Sequence, residues 1–242
     1  MIIFLQATVE GLSLAAIYSL VAIGFVLIYK AMEVLSFAQP ALAVVGAGII
    51  STLSIDRGIP FWLALFLGVT LTGILGLLIE RTFLRPMVGE PVFSVAVLTI
   101  GIDILLRTVL DSWIGINPKY LGDPFPSYGN FGAVNIGGVN IKLLELGALV
   151  TAILLIILLT IFFRKSKYGI AMRATSYDQE AAMAQGINVG RIFGLVWMIA
   201  GILAAFAGFF ITGGFNTLSQ FSFVSALRAL PAVVIGGLDS IP

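Results

Sequence analysis

Apolar runs close to the length of a bilayer crossing recur along this sequence, and they leave few folds open to it. Residues 61–79 carry no charged side chain, and residues 143–163 carry one, Glu145. A helix rising about 1.5 Å per residue needs about 20 apolar residues to cross the hydrocarbon core of a bilayer. Further runs lie at about 7–29, 35–53, 92–110 and 192–211, with a shorter one at 223–238. Charged residues make up 10% of the chain, against about 25% in soluble domains. Mean hydropathy is +1.11. The expectation is an all-α, polytopic membrane helical bundle of about seven hydrophobic segments. It forms one transmembrane domain over residues 1–242, with the lipid bilayer as its solvent.

The same composition excludes several functions. A net charge of +1 offers no surface for nucleic acid. The chain has no cysteine and no histidine, which removes disulfides, thiol chemistry and imidazole ligands or relays. There is no Walker loop, nucleophile elbow or HExxH, and no carboxylate pair with acid–base spacing. No catalytic residue, metal site or cofactor is assigned, so any ATP hydrolysis falls to other subunits. The first apolar run has no basic stretch before it and reads as a retained span, not a cleaved leader.

Basic residues orient the bundle. With the N-terminus outside, Lys30, Arg81, Arg85, Arg164, Lys165, Lys167, Arg173 and Arg191 fall on the cytoplasmic side. Arg57, Lys119 and Lys142 fall on the other. This orientation makes residues 111–142, rich in Gly, Pro and Asn, an extracytoplasmic loop. Within it, 133–136 and 139–141 alternate as a small β-hairpin would. Residues 164–191 become a cytoplasmic loop.

That cytoplasmic loop contains a polar stretch, 173–189, with signals of a short helix. Ser176 and Gln179 are spaced as a capping box. Asp178 and Glu180 suit the first turn, Ala181 to Ala184 favour helix, and Gly186 supplies a left-handed stop. Nine or ten helical residues are marginal alone in water, so the helix needs a surface to dock on, and a soluble partner is the expected source.

Polar groups inside the spans are few. Asp103 and Arg107 lie one turn apart on one helix face, spaced to neutralise each other. They suit a self-paired packing device, a polar spot beside a translocation path, or an ion-coupling site. Gln39 and Pro40 open the second run as a candidate polar kink. Pro231 in the middle of the last run, with the following Gly236–Pro242, predicts a broken or re-entrant helix, while Arg228 suits either a cavity lining or a side chain snorkelling to an interface. Small residues at four-residue spacing, such as Gly68, Thr72 and Gly76, or Ala200, Ala204, Gly208 and Thr212, suit close helix packing, with a path-lining face as the other reading.

Taken together, the motifs resemble a known family. Glu180-Ala181-Ala182 followed by Gly186 resembles the "EAA" loop of ABC importer permeases. Gly186-Ile-Asn-Val189, Ser36-Phe-Ala-Gln39 with Gly46-Ala-Gly48, and Gly236-Gly-Leu-Asp-Ser-Ile-Pro242 resemble permeases of branched-chain amino acid (Liv) importers, the shorter LivH type in particular. The resemblance spans essentially the whole chain. Two departures stand out: Pro40 replaces a common glycine, and the sequence stops at Pro242, where such permeases continue through a further apolar stretch, as a C-terminally truncated chain would.

The resemblance implies a multi-pass subunit of the inner membrane and a set of partners. These are a second permease (the same chain or a different one), two cytoplasmic ATPases and an extracytoplasmic solute-binding protein. Tyr177, Asp178, Glu180, Ala181, Ala182 and Gly186 would contact the ATPase. The implied function is ATP-driven import of branched-chain or related small amino acids. An ion-coupled carrier using Asp103 and Arg107, or a channel-like or scaffolding subunit, are the competing classes.

Overall fold

The computed structural model describes residues 2–115, 119–120, 133–136, 139–215, 217–219 and 221–237. Six helices among them are long and apolar enough to cross a membrane. They are built on α1 (Ile2–Met32), α2 (Gln39–Ser51), α3 (Phe61–Ile79), α4 (Val92–Ile114), α5 (Leu143–Lys165) and α8 (Val189–Phe215). Two shorter helices, α6 (Lys167–Tyr177) and α7 (Gln179–Ala184), fill the loop between α5 and α8. The last apolar run forms α9 (Phe221–Leu227) and α10 (Ala229–Gly236).

Helix α8 is the axis of the bundle and packs against α1, α2 and α3. Its Trp197, Ala200, Ala204 and Thr212 are fully enclosed. Small residues explain how close the backbones come. A Cβ on Gly201 would sit 2.6 Å from the Thr72 carbonyl oxygen, and one on Gly76 would strike the Trp197 carbonyl. One on Gly208 would strike the Ala43 carbonyl. The glycine stripes are therefore helix-packing surfaces, where van der Waals contact replaces the hydrophobic drive that lipid cannot supply. By contrast, α5 keeps Val150, Ile153, Leu154, Ile157 and Leu158 about half exposed, as a lipid-facing helix would.

Helix α2 begins later than its apolar run. Residues 33–38 are non-helical, and Glu33 adopts φ 55°. The chain then runs back into the bundle. Phe37 donates its backbone N–H to Thr99 Oγ1 (3.2 Å), and Gln39 sits fully buried against Gly24 of α1. Pro40 lies in the first turn of α2, where its missing N–H costs nothing. Both α2 and α3 run on into π-helical turns, Thr52–Asp56 and Glu80–Leu84.

The expected hairpin forms. β2 (Ala133–Ile136) pairs antiparallel with β3 (Val139–Lys142) in the register Ile136↔Val139. Gln6 ties it to α1 by bonding both the N–H and the carbonyl of Asn140, each at 2.9 Å. A second ribbon pairs β1 (Lys119–Tyr120) with β4 (Thr217–Leu218). Lys119 also bonds Asp56 at 2.5 Å.

Candidate functional site

The polar stretch between α5 and α8 folds as an elbow of two helices. Here the structure corrects the expected cap. Ser176 lies within α6, and its hydroxyl donates to the Arg173 carbonyl at 2.8 Å. Asp178 is the N-cap instead: it is extended (φ −160°, ψ 109°), and its Oδ1 accepts the Ala181 N–H at 2.9 Å. The capped helix is only six residues, because helical backbone already runs through 176 and the break falls two residues later. Its end matches the expectation. Gly186 takes φ 82° and donates to Met183 O, while Ile187 donates to Ala182 O at 3.0 Å, a Schellman closure.

One face of the elbow is seated on the bundle and the other is bare. Ala182 is 4% exposed, and Gln179 reaches the Ala31 carbonyl at 3.4 Å. Tyr177 is 91% exposed, and Asp178, Glu180, Ala181 and Gly186 are exposed as well. The bundle itself thus provides a docking surface for a helix too short to persist alone, where the sequence suggested a soluble partner. Ala182, expected among the contact residues, belongs to that seat and not to the bare face. A polar cleft of about 360 Å³ lined by Tyr29, Lys30, Glu33, Ser176 and Tyr177 opens beside the elbow.

At the elbow's exit lies an ion pair that sequence reasoning passed over. Glu80, fully enclosed, receives both Nε (3.2 Å) and Nη2 (3.0 Å) of Arg85, and the same Nη2 donates to the Gly190 carbonyl at 2.8 Å. Arg85 therefore joins the end of α3 to the start of α8. In the sequence it counted only as one of the basic loop residues. The signal was an acid five residues before a base at the end of an apolar run, a spacing that a π-helical turn brings together.

The intramembrane candidates separate. Asp103 is 4% exposed and accepts from Nη2 of Arg107, so the predicted pair forms. The Phe223 ring covers the guanidinium at 4.1 Å from its carbon, a cation–π contact that brings α9 to α4. Gln39 lies elsewhere, with Nε2 donating to the Ala200 carbonyl at 3.0 Å and Oε1 without a partner among the described residues. Arg228 is exposed at the junction of α9 and α10. Pro231 sits in the first turn of α10, so the break expected at Pro231 falls at Arg228. Proline removes the bond to the carbonyl four residues earlier and crowds it, which interrupts the helix upstream of its own ring. Residues 238–242 of the final motif lie outside the described residues.

Comparison with known proteins agrees with this architecture. The family model described as branched-chain amino acid transport system / permease component matches residues 7–242. The high-affinity branched-chain amino acid transport system permease protein BraD of Pseudomonas aeruginosa is 27% identical over 99% of this chain and 81% of its own length. The permease protein LivH of Escherichia coli is 27% identical over 99% and 80%. A probable LivH from Methanocaldococcus jannaschii is 30% identical over 92% and 76%. No solved structure matches the chain. A family match over nearly the whole bundle, from the first span to the broken final helix, means that the chain belongs to the branched-chain amino acid transport system permease components.

Proposed function

We propose that this chain is a translocation subunit of an ATP-driven importer for branched-chain or related small amino acids, coupled to its ATPases through the bare face of the α6–α7 elbow. One observation carries the coupling assignment: a six-residue helix, closed at both ends, is gripped by the bundle on one side and bare on the other. Such an element transmits force well, because its own geometry is locked while its outer surface is free. Tyr177, Asp178, Glu180, Ala181 and Gly186 form the contact, and Ala182 seats the helix from behind. Arg85 carries displacement of the exit at Gly190 into the end of α3. Family membership favours ATP-driven transport over ion-coupled carriage by Asp103 and Arg107.

The working assembly in this reading contains two ATPases, a second permease chain, identical or different, and an extracytoplasmic solute-binding protein. The elbow faces the cytoplasm and the N-terminus faces outward, with Gln6 and the β2–β3 hairpin on the outer side. The basic residues of the two sides support that orientation.

Uptake by proteoliposomes holding the whole complex tests the coupling. Reversing the charge in Glu180→Arg is expected to lower ATP-dependent uptake at least tenfold and to weaken ATPase co-purification. Wild-type uptake together with full ATPase retention would reject the elbow as the coupling element.

A further inference from the structure

A cavity of about 300 Å³ opens between α2, α4 and the chain around β4 and α9, away from the elbow. Its volume lies at the lower end of the range for small-molecule sites. Arg107, Asp111, Val44, Ile104, Leu218 and Phe223 are among the residues that line it. Its chemistry is uneven: apolar and aromatic side chains form most of the wall, and the charged groups come from α4 alone. Asp103, Arg107 and Asp111 follow one another at four-residue spacing and so stack along a single face of α4.

The guanidinium of Arg107 is under-used. It has five N–H donors in a fixed fork, and one of its nitrogens, Nη2, is bonded, to Asp103. Its Nε is buried out of a solute's reach and has no partner among the described residues, so the terminal nitrogens are the ones that can meet a ligand. Phe223 shields one face of the group, and the side chain remains 41% exposed overall. The accessible end of the guanidinium lines a mostly apolar cavity, where a charged fork of donors calls for an acceptor. The acceptor that fits this planar fork is a carboxylate, taken bidentately. One helical turn further along, about 6 Å by helical rise, the Asp111 carboxylate lines the same cavity.

We propose that this cavity is a binding station for a zwitterionic α-amino acid on its way through the permease. Arg107 takes the α-carboxylate and Asp111 takes the α-ammonium. Val44, Ile104, Leu218 and Phe223 receive a branched aliphatic side chain. Asp103 is a positioning residue: it holds the guanidinium toward the cavity and makes no contact with the solute. The proposal rests on the importer reading above and adds to it a place where the permease itself recognises what it carries.

The test uses the complete permease–ATPase complex without its solute-binding protein, so that discrimination by that protein does not enter. Direct binding is measured with radiolabelled leucine, competed by leucine methyl ester, which lacks the carboxylate, and by 4-methylpentanoate, which lacks the ammonium. Wild type is expected to prefer leucine over each competitor at least tenfold. Asp111→Asn should erase the preference over 4-methylpentanoate and keep the preference over the ester. Arg107→Gln combined with Asp103→Asn, which leaves no buried carboxylate without its partner, should do the reverse. If both variants keep the wild-type preferences, or if wild type shows none, the binding station is refuted. Uptake by the full assembly separates the two claims. ATP-driven leucine uptake with unaltered selectivity in the variants rejects only the station, whereas a wild-type assembly that moves no amino acid on ATP rejects the importer reading itself.

Discussion

At the scale of single residues, the elbow turns on which oxygen caps α7. Ser176 and Asp178 are both good caps and stand two positions apart. Asp178 takes the role because α6 extends through Tyr177, leaving 178 as the one extended residue between two helices. Removing an N-cap costs about 1 kcal/mol, equivalent to about a fivefold change in a local opening equilibrium. Asp178→Ala is therefore expected to speed hydrogen–deuterium exchange at the amides of 181–184 about fivefold. Ser176→Ala should leave those amides unchanged, since its hydroxyl bonds within α6. Equal effects from the two variants would show that the cap is wrongly assigned. Ala182 could not be read in advance for a related reason. Its neighbours in sequence are all suited to an exposed helix, and only the position of Ala31 and the end of α1 makes 182 the seated face.

At the scale of elements, the spans were legible because the cost of placing each side chain in lipid or water is local and nearly additive along the run. The first four residues of the second run precede α2 because the chain must first turn at Glu33 and re-enter the bundle, a constraint set by α1 and α4. Asp111 was missed for a simpler reason. Apolarity ends the fourth run at Leu110, one turn short of the helix end at Ile114, which places the third charge on the α4 face in the loop. The contact of α8 with α2 gives an element-scale prediction. In Gly208→Ala the added methyl meets the Ala43 carbonyl, and backbone cannot yield as a flexible side chain can. Overpacking of this kind costs about 1–3 kcal/mol. Gly208→Ala should lower the thermal midpoint of the detergent-solubilised complex by several degrees. Gly101→Ala, where nothing lies within 4 Å of the new methyl, should not. A midpoint unchanged in both would mean that α2 and α8 are less tightly apposed.

At the scale of the whole molecule, the native absence of cysteine makes topology directly measurable. Tyr177 and Arg57 are both exposed, one on the elbow and one beside the turn between α2 and α3. With the N-terminus outside, Tyr177→Cys should react with a membrane-impermeant maleimide only in inverted vesicles, and Arg57→Cys only in intact spheroplasts. Labelling from the opposite sides would invert the orientation and detach the elbow from any cytoplasmic ATPase. By itself the sequence determined the membrane-embedded all-α class, the approximate spans, the β2–β3 hairpin, the glycine stop at 186 and the Asp103–Arg107 pair. Each of these depends on residues a few positions apart, or on the local cost of leaving water. Only the tertiary structure decided where α2 starts, which face of the elbow is bare, that Arg85 bridges Glu80 to Gly190, and that Phe223 and Leu218 close a cavity over Arg107. Those outcomes join positions as far as 148 residues apart, from Ala31 to Gln179, and no local pattern encodes the packing that brings them together.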